Sequence, residues 1–372
     1  MRHTRLLLSI ALLAIGCVVS TSARAASLYS IVDLGTLGGS YSEARDVNNL
    51  GHVTGYSYIA GDLGANAFLY DGTMKDLGSL GGSFAAGYGL NDNDWVTGSS
   101  EMPNFIDTRG FIHDGSMHPL ATLGGIRNVG ADINNAGYVA GTSYMAGNMS
   151  RHAFLWDGSN MSDLGTLGGT NSEAYAINAA GHVVGLSENA DEIARAFLYT
   201  DTMIDLGTLG GPTSRAFSIS DAGHVTGRSG AGVGEIHAFL YDGMTMQDLG
   251  TLGGTQSEGY GVNSSGHVVG FSFDAGTGAS NGDSQATAQQ RAFLYTSALG
   301  MLDLNTLIDP VAGWTLVSAY GINEAGQIVG VGQISGQSHA FLMTPVPEPG
   351  SLALFAAFGS VVVTLAARRR AK

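Results

Sequence analysis

Charge is scarce in this chain. Asp, Glu, Lys and Arg make up 13% of its 372 residues, about half of the usual ~25%. Basic residues are the scarcest, with 16 Lys and Arg against 31 Asp and Glu. Seven of those 16 lie in the end segments, at Arg2, Arg5, Arg24, Arg368, Arg369, Arg370 and Lys372. The middle keeps nine basic and 30 acidic residues, which argues against nucleic acid as a partner because phosphate binding needs a basic face. The one cysteine, Cys17, sits in an N-terminal apolar run. Once that run is removed, neither disulfides nor thiol chemistry remain. Proline is rare at seven residues, and no stretch of the middle sustains a helical period. What the chain has in excess is glycine, 57 residues, beside 44% hydrophobic content. That is too apolar for low-complexity disorder and enough to build a sizeable core.

The ends read as addresses. Arg2, His3 and Arg5 precede the apolar run Leu6–Val19, and Ala23-Arg24-Ala25 follows. This order of basic, apolar and small residues predicts a secretory signal peptide over 1–25, with Ala23 and Ala25 setting cleavage before Ala26. A lipoprotein reading at Cys17 is the alternative. At the other end Pro345-Val346-Pro347-Glu348-Pro349 leads into an uncharged stretch, Gly350–Ala367, and then Arg368-Arg369-Arg370. Eighteen residues at 1.5 Å give about 27 Å, enough for one hydrophobic helix to cross a hydrocarbon core. The arginines place the C-terminus on the cytoplasmic side.

This tail, 345–372, resembles the PEP-CTERM sorting signal, with Pro347, Glu348 and Pro349 as its motif and Arg368, Arg369 and Arg370 as its basic stop. The resemblance implies an exosortase-type protease as partner and a transient stay in the inner membrane. Delivery to the cell surface or to an exopolysaccharide matrix follows. A permanent single-helix anchor is the alternative.

Between the ends one unit is written seven times. Asp33-Leu34-Gly35-Thr36-Leu37-Gly38-Gly39 recurs from Asp76, Asp163, Asp205 and Asp248, as Pro119–Gly125, and degraded from Asp303. Successive copies begin 43, 43, 44, 42, 43 and 55 residues apart. An apolar-Asn/Ser turn motif starts at Val47, Leu90, Ile133, Ile177, Ile219, Val262 and Ile322. A third motif, Ala-Phe-Leu-aromatic, starts at Ala67, Ala153, Ala196, Ala238 and Ala292, with variants at Gly110 and Ala340. These signatures resemble the extracellular HAF repeat family, whose His-Ala-Phe triplet stands here at His152, His237 and His339. The family's biochemical role is obscure, so the resemblance implies little function.

Each unit reads as four short strands joined by turn chemistry such as Asn178-Ala179-Ala180-Gly181 and the Asp-Gly pair at Asp157-Gly158. Four strands in about 43 residues match one blade of a β-propeller. Before the first Asp-Leu-Gly motif there is one strand-like segment, Leu28–Val32. After the last there are three, ending at His339–Leu342. One plus three makes a seventh blade. The expected fold is therefore all-β, a single seven-bladed propeller over 26–344 closed by its N- and C-terminal strands. A linear solenoid, which would need capping repeats, is the alternative. Gly185 and its equivalents end the second strand at a fixed offset, which calls for close backbone approach or positive φ.

Chemistry is sparse. The Gly-Thr-Leu-Gly-Gly segments lack the helix and lysine of a phosphate loop and read as blade-to-blade turns. Histidines recur at His52, His182, His224 and His267 and in the third strands, but a ring of one per blade suits packing better than a metal centre. No cofactor is expected, with calcium at Asn91-Asp92-Asn93-Asp94 or at Asp274, Asn281 and Asp283 as the alternative. Unit two breaks the pattern with Trp95, Asp107 and Arg109, the candidate ligand residues, and Phe273–Gln290 lengthens unit six. No catalytic motif is recognisable. The expectation is a non-enzymatic secreted repeat protein acting by binding, with exopolysaccharide as a partner, or by structural association. The alternative is a propeller enzyme acting on extracellular polysaccharide.

Overall fold

The computed structural model describes residues 27–104, 107–276 and 288–347. The signal segment with Ala23 and Ala25 lies outside the described residues, as do Glu348, Pro349, the apolar stretch 350–367 and Arg368–Arg370. Among the described residues the chain is all-β and propeller-like. Its only helical elements are three single turns, at Ala60–Asp62, Leu304–Thr306 and Pro310–Ala312. No helix there is long and apolar enough to cross a membrane.

The fourth repeat shows how one unit is built. Gly168–Ile177, Val183–Asn189, Ala194–Tyr199 and Met203–Asp205 pair antiparallel in that order. The recurring Asn shapes the first turn. Asn178 Oδ1 accepts the amides of Ala180 at 3.1 Å and His182 at 3.0 Å, and Gly181 takes φ +81°, a left-handed conformation that glycine adopts most readily. Six sheets follow this pattern. The seventh has Trp314–Ile322, Ile328–Ile334 and Gln337–Pro345, and its fourth strand is Tyr29–Asp33 from the other end of the chain. Tyr29 pairs with Pro345 and Asp33 with Phe341.

No sheet closes on itself; a ring of sheets does. The first strands pack side by side in sequence order, and Trp314–Ile322 returns to Gly38–Val47. The turn Asn also links the sheets. Its Nδ2 donates to the next sheet's turn carbonyl, Asn48 to Asn91 at 3.0 Å, Asn91 to Asn134 at 3.0 Å and Asn134 to Asn178 at 3.1 Å. Asn178 reaches Ser220 at 3.2 Å, Asn263 reaches Asn323 at 3.2 Å, and Asn323 returns to Asn48 at 2.9 Å. Each such buried bond is worth about 1 kcal/mol net.

The other motifs serve the same packing. The Phe of Ala-Phe-Leu, at Phe68, Phe111, Phe154, Phe197, Phe239, Phe293 and Phe341, is fully buried in every unit. Burying each is worth about 1.5–3 kcal/mol. Core clusters span neighbouring sheets, as where Ala153 and Leu164 of the third meet Ala174 and Phe197 of the fourth. In the Asp-Leu-Gly segment, Asp163 Oδ1 accepts the amide of Gly165 at 2.8 Å, and Ser172 Oγ donates to Gly165 O at 2.6 Å. The same hydroxyl accepts the amide of Ala153 at 2.9 Å and so ties one sheet to the next.

Gly185 does not have positive φ. It sits where the pairing with Ala174 slips by one residue, and a Cβ there would lie 1.9 Å from Glu173 O. Gly55, Gly98, Gly141, Gly227, Gly270 and Gly330 meet a carbonyl at 1.9–2.1 Å in the same way. Close approach is the reason for all seven.

Candidate active site in the axial pocket

The first strands face the ring axis, and the residues three and two positions before the turn Asn line it. The outer of these two layers is aromatic. It holds Tyr88, Tyr175, Phe217, Tyr260 and Tyr320, with Arg45 in the first sheet and Ala131 in the third. Ring centroids lie 5.4 Å apart from Tyr175 to Phe217, 5.4 Å from Phe217 to Tyr260 and 5.2 Å from Tyr260 to Tyr320. The Arg45 guanidinium continues the belt, 4.5 Å over Tyr320 and 6.0 Å from Tyr88. Its Nε lies 2.6 Å from Glu43 Oε1. The belt bounds a cavity of about 460 Å³, within the range of small-molecule sites.

Below the belt lies the layer that carries charge. Asp46 and Asp132 stand here, where other sheets have Gly89, Ala176, Ser218, Gly261 and Gly321. Asp46 accepts the amides of Val47 and Leu90, each at 2.8 Å. Asp132 accepts those of Ile133 at 2.7 Å and Ile177 at 2.9 Å. The two acids flank Gly89: a Cβ there would sit 2.7 Å from Asp132 Oδ1, and Leu90 is the next residue. Burial pushes the Asp46 carboxyl up to about 6 against the pull of its two amides. Burial, joined by the charge of Asp46, pushes Asp132 up to about 7. Both also wall a polar cavity of about 170 Å³ on the far side, beside the turn asparagines.

Tyr175, Tyr260 and Tyr320 are held neutral. Burial and then Glu173 raise Tyr175, burial and then Glu258 raise Tyr260, and burial and then Glu43 raise Tyr320. Tyr175 donates to Glu173 at 2.6 Å and Tyr260 to Glu258 at 3.1 Å. The pocket thus offers apolar ring faces, one guanidinium and a pair of carboxyls that exchange protons near neutrality. That combination suits stacking on a ligand ring and acid–base work beneath it.

The residues singled out from sequence lie elsewhere. Trp95 packs its ring against Gly137 in the next sheet's turn. Asp107 accepts Asn104 Nδ2 at 2.9 Å, and Arg109 pairs opposite Ser100. None of the three lines the axial pocket. In the proposed calcium cluster, Asp94 meets His52 Nδ1 at 2.7 Å, and Asp92 accepts the Asn49 amide at 2.8 Å. Asp274 pairs with Arg291 at 3.2 Å, while Asn281 and Asp283 lie outside the described residues. Among the described residues no three His, Cys, Asp or Glu side chains gather as a metal site. The histidines of the His-Ala-Phe triplets instead clasp the Asp of the Asp-Leu-Gly motif, His152 with Asp163 at 2.8 Å and His237 with Asp248 at 2.9 Å. His339 meets Asp33 at 3.0 Å across the two ends of the chain. Arg45, Asp46 and Asp132 escape a search for reactive motifs. Their signal is departure from the repeat at a fixed offset before the turn Asn.

No protein-family model matches the chain, and no curated protein matches it in sequence. Solved structures do match in shape. The chain is similar to a Trypanosoma rangeli sialidase at 10% identity and a TM-score of 0.41, covering 89% of this chain and 61% of that one. It is similar to a mutant of AofleA from Arthrobotrys oligospora at 9% identity and a TM-score of 0.35, covering 85% and 91%. A third is Kuenenia stuttgartiensis hydrazine synthase, at 10% identity and a TM-score of 0.38, covering 81% and 43%. The chain thus spans about three fifths of the sialidase. These likenesses speak to fold alone. They correct one expectation, that of a non-enzymatic protein acting only by binding or structural association. The structures matched in shape include a sialidase and a synthase.

Proposed function

We propose that the chain is a seven-bladed β-propeller enzyme acting on extracellular saccharide in its axial pocket, with Asp132 and Asp46 as its acid–base pair. The observation that carries this reading is the position of the two carboxyls, on either side of Gly89 in the wall of the pocket that the aromatic belt bounds. Sugar rings stack on aromatic faces, and cleaving a glycosidic bond calls for one carboxyl that gives a proton and one that takes it. Burial raises both carboxyls toward neutrality, and the charge of each opposes ionisation of the other, so the pair shares one proton as it titrates. Arg45 offers its guanidinium to an anionic group on the sugar.

The test is reducing-end release from a panel of acidic and neutral polysaccharides by residues 26–345. Activity should peak between about pH 6 and pH 7, where one carboxyl is charged and the other is not. Asp132→Asn should lower kcat by about 10²–10⁴. Wild-type protein that cleaves none of the panel, or an undiminished Asp132→Asn, overturns the reading. The resemblance to HAF repeats and to a PEP-CTERM signal supports a place at the cell surface or in the matrix. There the substrate would be the exopolysaccharide itself.

A further inference from the structure

The aromatic belt is broken in one sheet. Six of the seven positions carry an aromatic ring or the Arg45 guanidinium, and the seventh is Ala131, between Tyr88 and Tyr175. A second cavity, of about 370 Å³, lies against this break and shares Val129, Ala131 and Tyr175 with the axial pocket. It runs between the first strands of the third and fourth sheets, past Thr142 and Tyr144, to Arg127 and Arg151. The third unit departs from the repeat along this same line. Val129 stands where the fourth and sixth sheets have Glu173 and Glu258, and Arg127 where they have Asn171 and Gln256.

Charge along the cleft runs against that of the chain. The middle of the sequence has 30 acidic residues to nine basic, yet the cleft is lined by two arginines and one acid, Glu173, which Arg151 meets at 2.6 Å. Arg45 adds a third guanidinium in the pocket.

We propose that the side cleft is a subsite for the rest of a saccharide chain, and that the substrate is an acidic oligosaccharide. Its terminal ring sits inside the aromatic belt, and its next units leave through the gap at Ala131 toward Arg127 and Arg151. This rests on the saccharide reading of the axial pocket and adds to it a direction and a charge. Five sheets close the belt with an aromatic ring, so a Tyr at position 131 fits the repeat and plugs the exit.

The experiment is calorimetric titration of wild type, Ala131→Tyr and Arg127→Gln/Arg151→Gln. The probes are uronic-acid tetrasaccharides of several linkages, their monosaccharides and neutral tetrasaccharides. Folding of each variant is checked by circular dichroism. Wild type should bind an acidic tetrasaccharide at least tenfold more tightly than its monosaccharide or a neutral tetrasaccharide. Ala131→Tyr should erase the gain from chain length, read within that variant as the ratio of tetrasaccharide to monosaccharide affinity, and the double arginine variant should erase the preference for charge. If wild type binds monosaccharide and tetrasaccharide alike, or Ala131→Tyr keeps the length gain, the cleft subsite is wrong although the pocket reading stands. If wild type binds no saccharide, the pocket reading fails and takes the cleft with it.

Discussion

Replacing Gly185 by alanine should break the fourth sheet, although alanine is the smallest change available. Where alanine can adopt the native backbone angles without strain, Gly→Ala stabilises by about 0.4–1 kcal/mol by restricting the unfolded chain. Here the added carbon would lie 1.9 Å from Glu173 O and 2.8 Å from the Phe197 ring. Carbon and oxygen in ordinary contact need more than about 3 Å, so the first two strands must separate by roughly 1 Å or more. That separation lengthens the ladder bonds around the Ala174–Gly185 pair. Overpacking costs about 1–3 kcal/mol, and two weakened hydrogen bonds add about 1 kcal/mol each. The expected loss is therefore about 3–5 kcal/mol. Gly181→Ala is the internal control. Gly181 has φ +81° and nothing within 4 Å of its virtual Cβ, so it should lose only the left-handed penalty of about 1–2 kcal/mol. Urea unfolding followed by far-UV circular dichroism measures both. A Gly185→Ala protein no less stable than Gly181→Ala would refute the reasoning. It would also remove the stated cause of the glycine at the six equivalent positions.

Three further outcomes follow from the same geometry. Deleting 26–32 removes most of Tyr29–Asp33 and the packing of Tyr29 and Ile31 on the last core cluster, exposing the edge of Gln337–Pro345. The melting transition of the whole domain should fall, and a midpoint equal to that of the intact chain would show that this strand is dispensable. Asp132 and Asp46 hold protons more tightly in the folded chain than in the unfolded one, whose carboxyls titrate near about 4. Their contribution to stability is therefore fully present below that pH and is lost as pH rises toward about 7. Asp132→Asn should gain stability relative to wild type between pH 5 and pH 8, and parallel urea midpoints at the two pH values would contradict the burial of that charge. The sorting proposal is read from the C-terminus of surface protein in a host carrying an exosortase. Mass spectrometry should find the tail removed in wild type and kept when Pro347, Glu348 and Pro349 become alanine. An intact Arg368–Lys372 on mature wild-type protein favours a permanent anchor.

The repeat made much of the architecture legible without coordinates, for a physical reason. Strand period, turn chemistry and the 43-residue spacing are local properties, and each copy must solve the same packing problem against its neighbour. The buried Phe197, the Asn178 turn and the Gly185 approach all lie in residues that recur. The role of the recurrent polar residues was not legible, because it depends on side-chain contacts between strands and between units. His152 recurs to hold Asp163 eleven residues on, and Asn48 recurs to hold a carbonyl in the next sheet. The site was hidden most completely. Arg45, Asp46, Ala131 and Asp132 are unremarkable along the chain, and the more conspicuous Trp95, Asp107 and Arg109 lie away from the axis. Only the curvature of the ring brings one position from each of seven units onto a common axis. There a single departure from the repeat becomes a charge in a pocket or a gap in its wall. Composition and period decide that strands form and how they stack; which side chains meet is decided by closure, which joins residues as far apart as Tyr29 and Pro345, 316 positions along the chain.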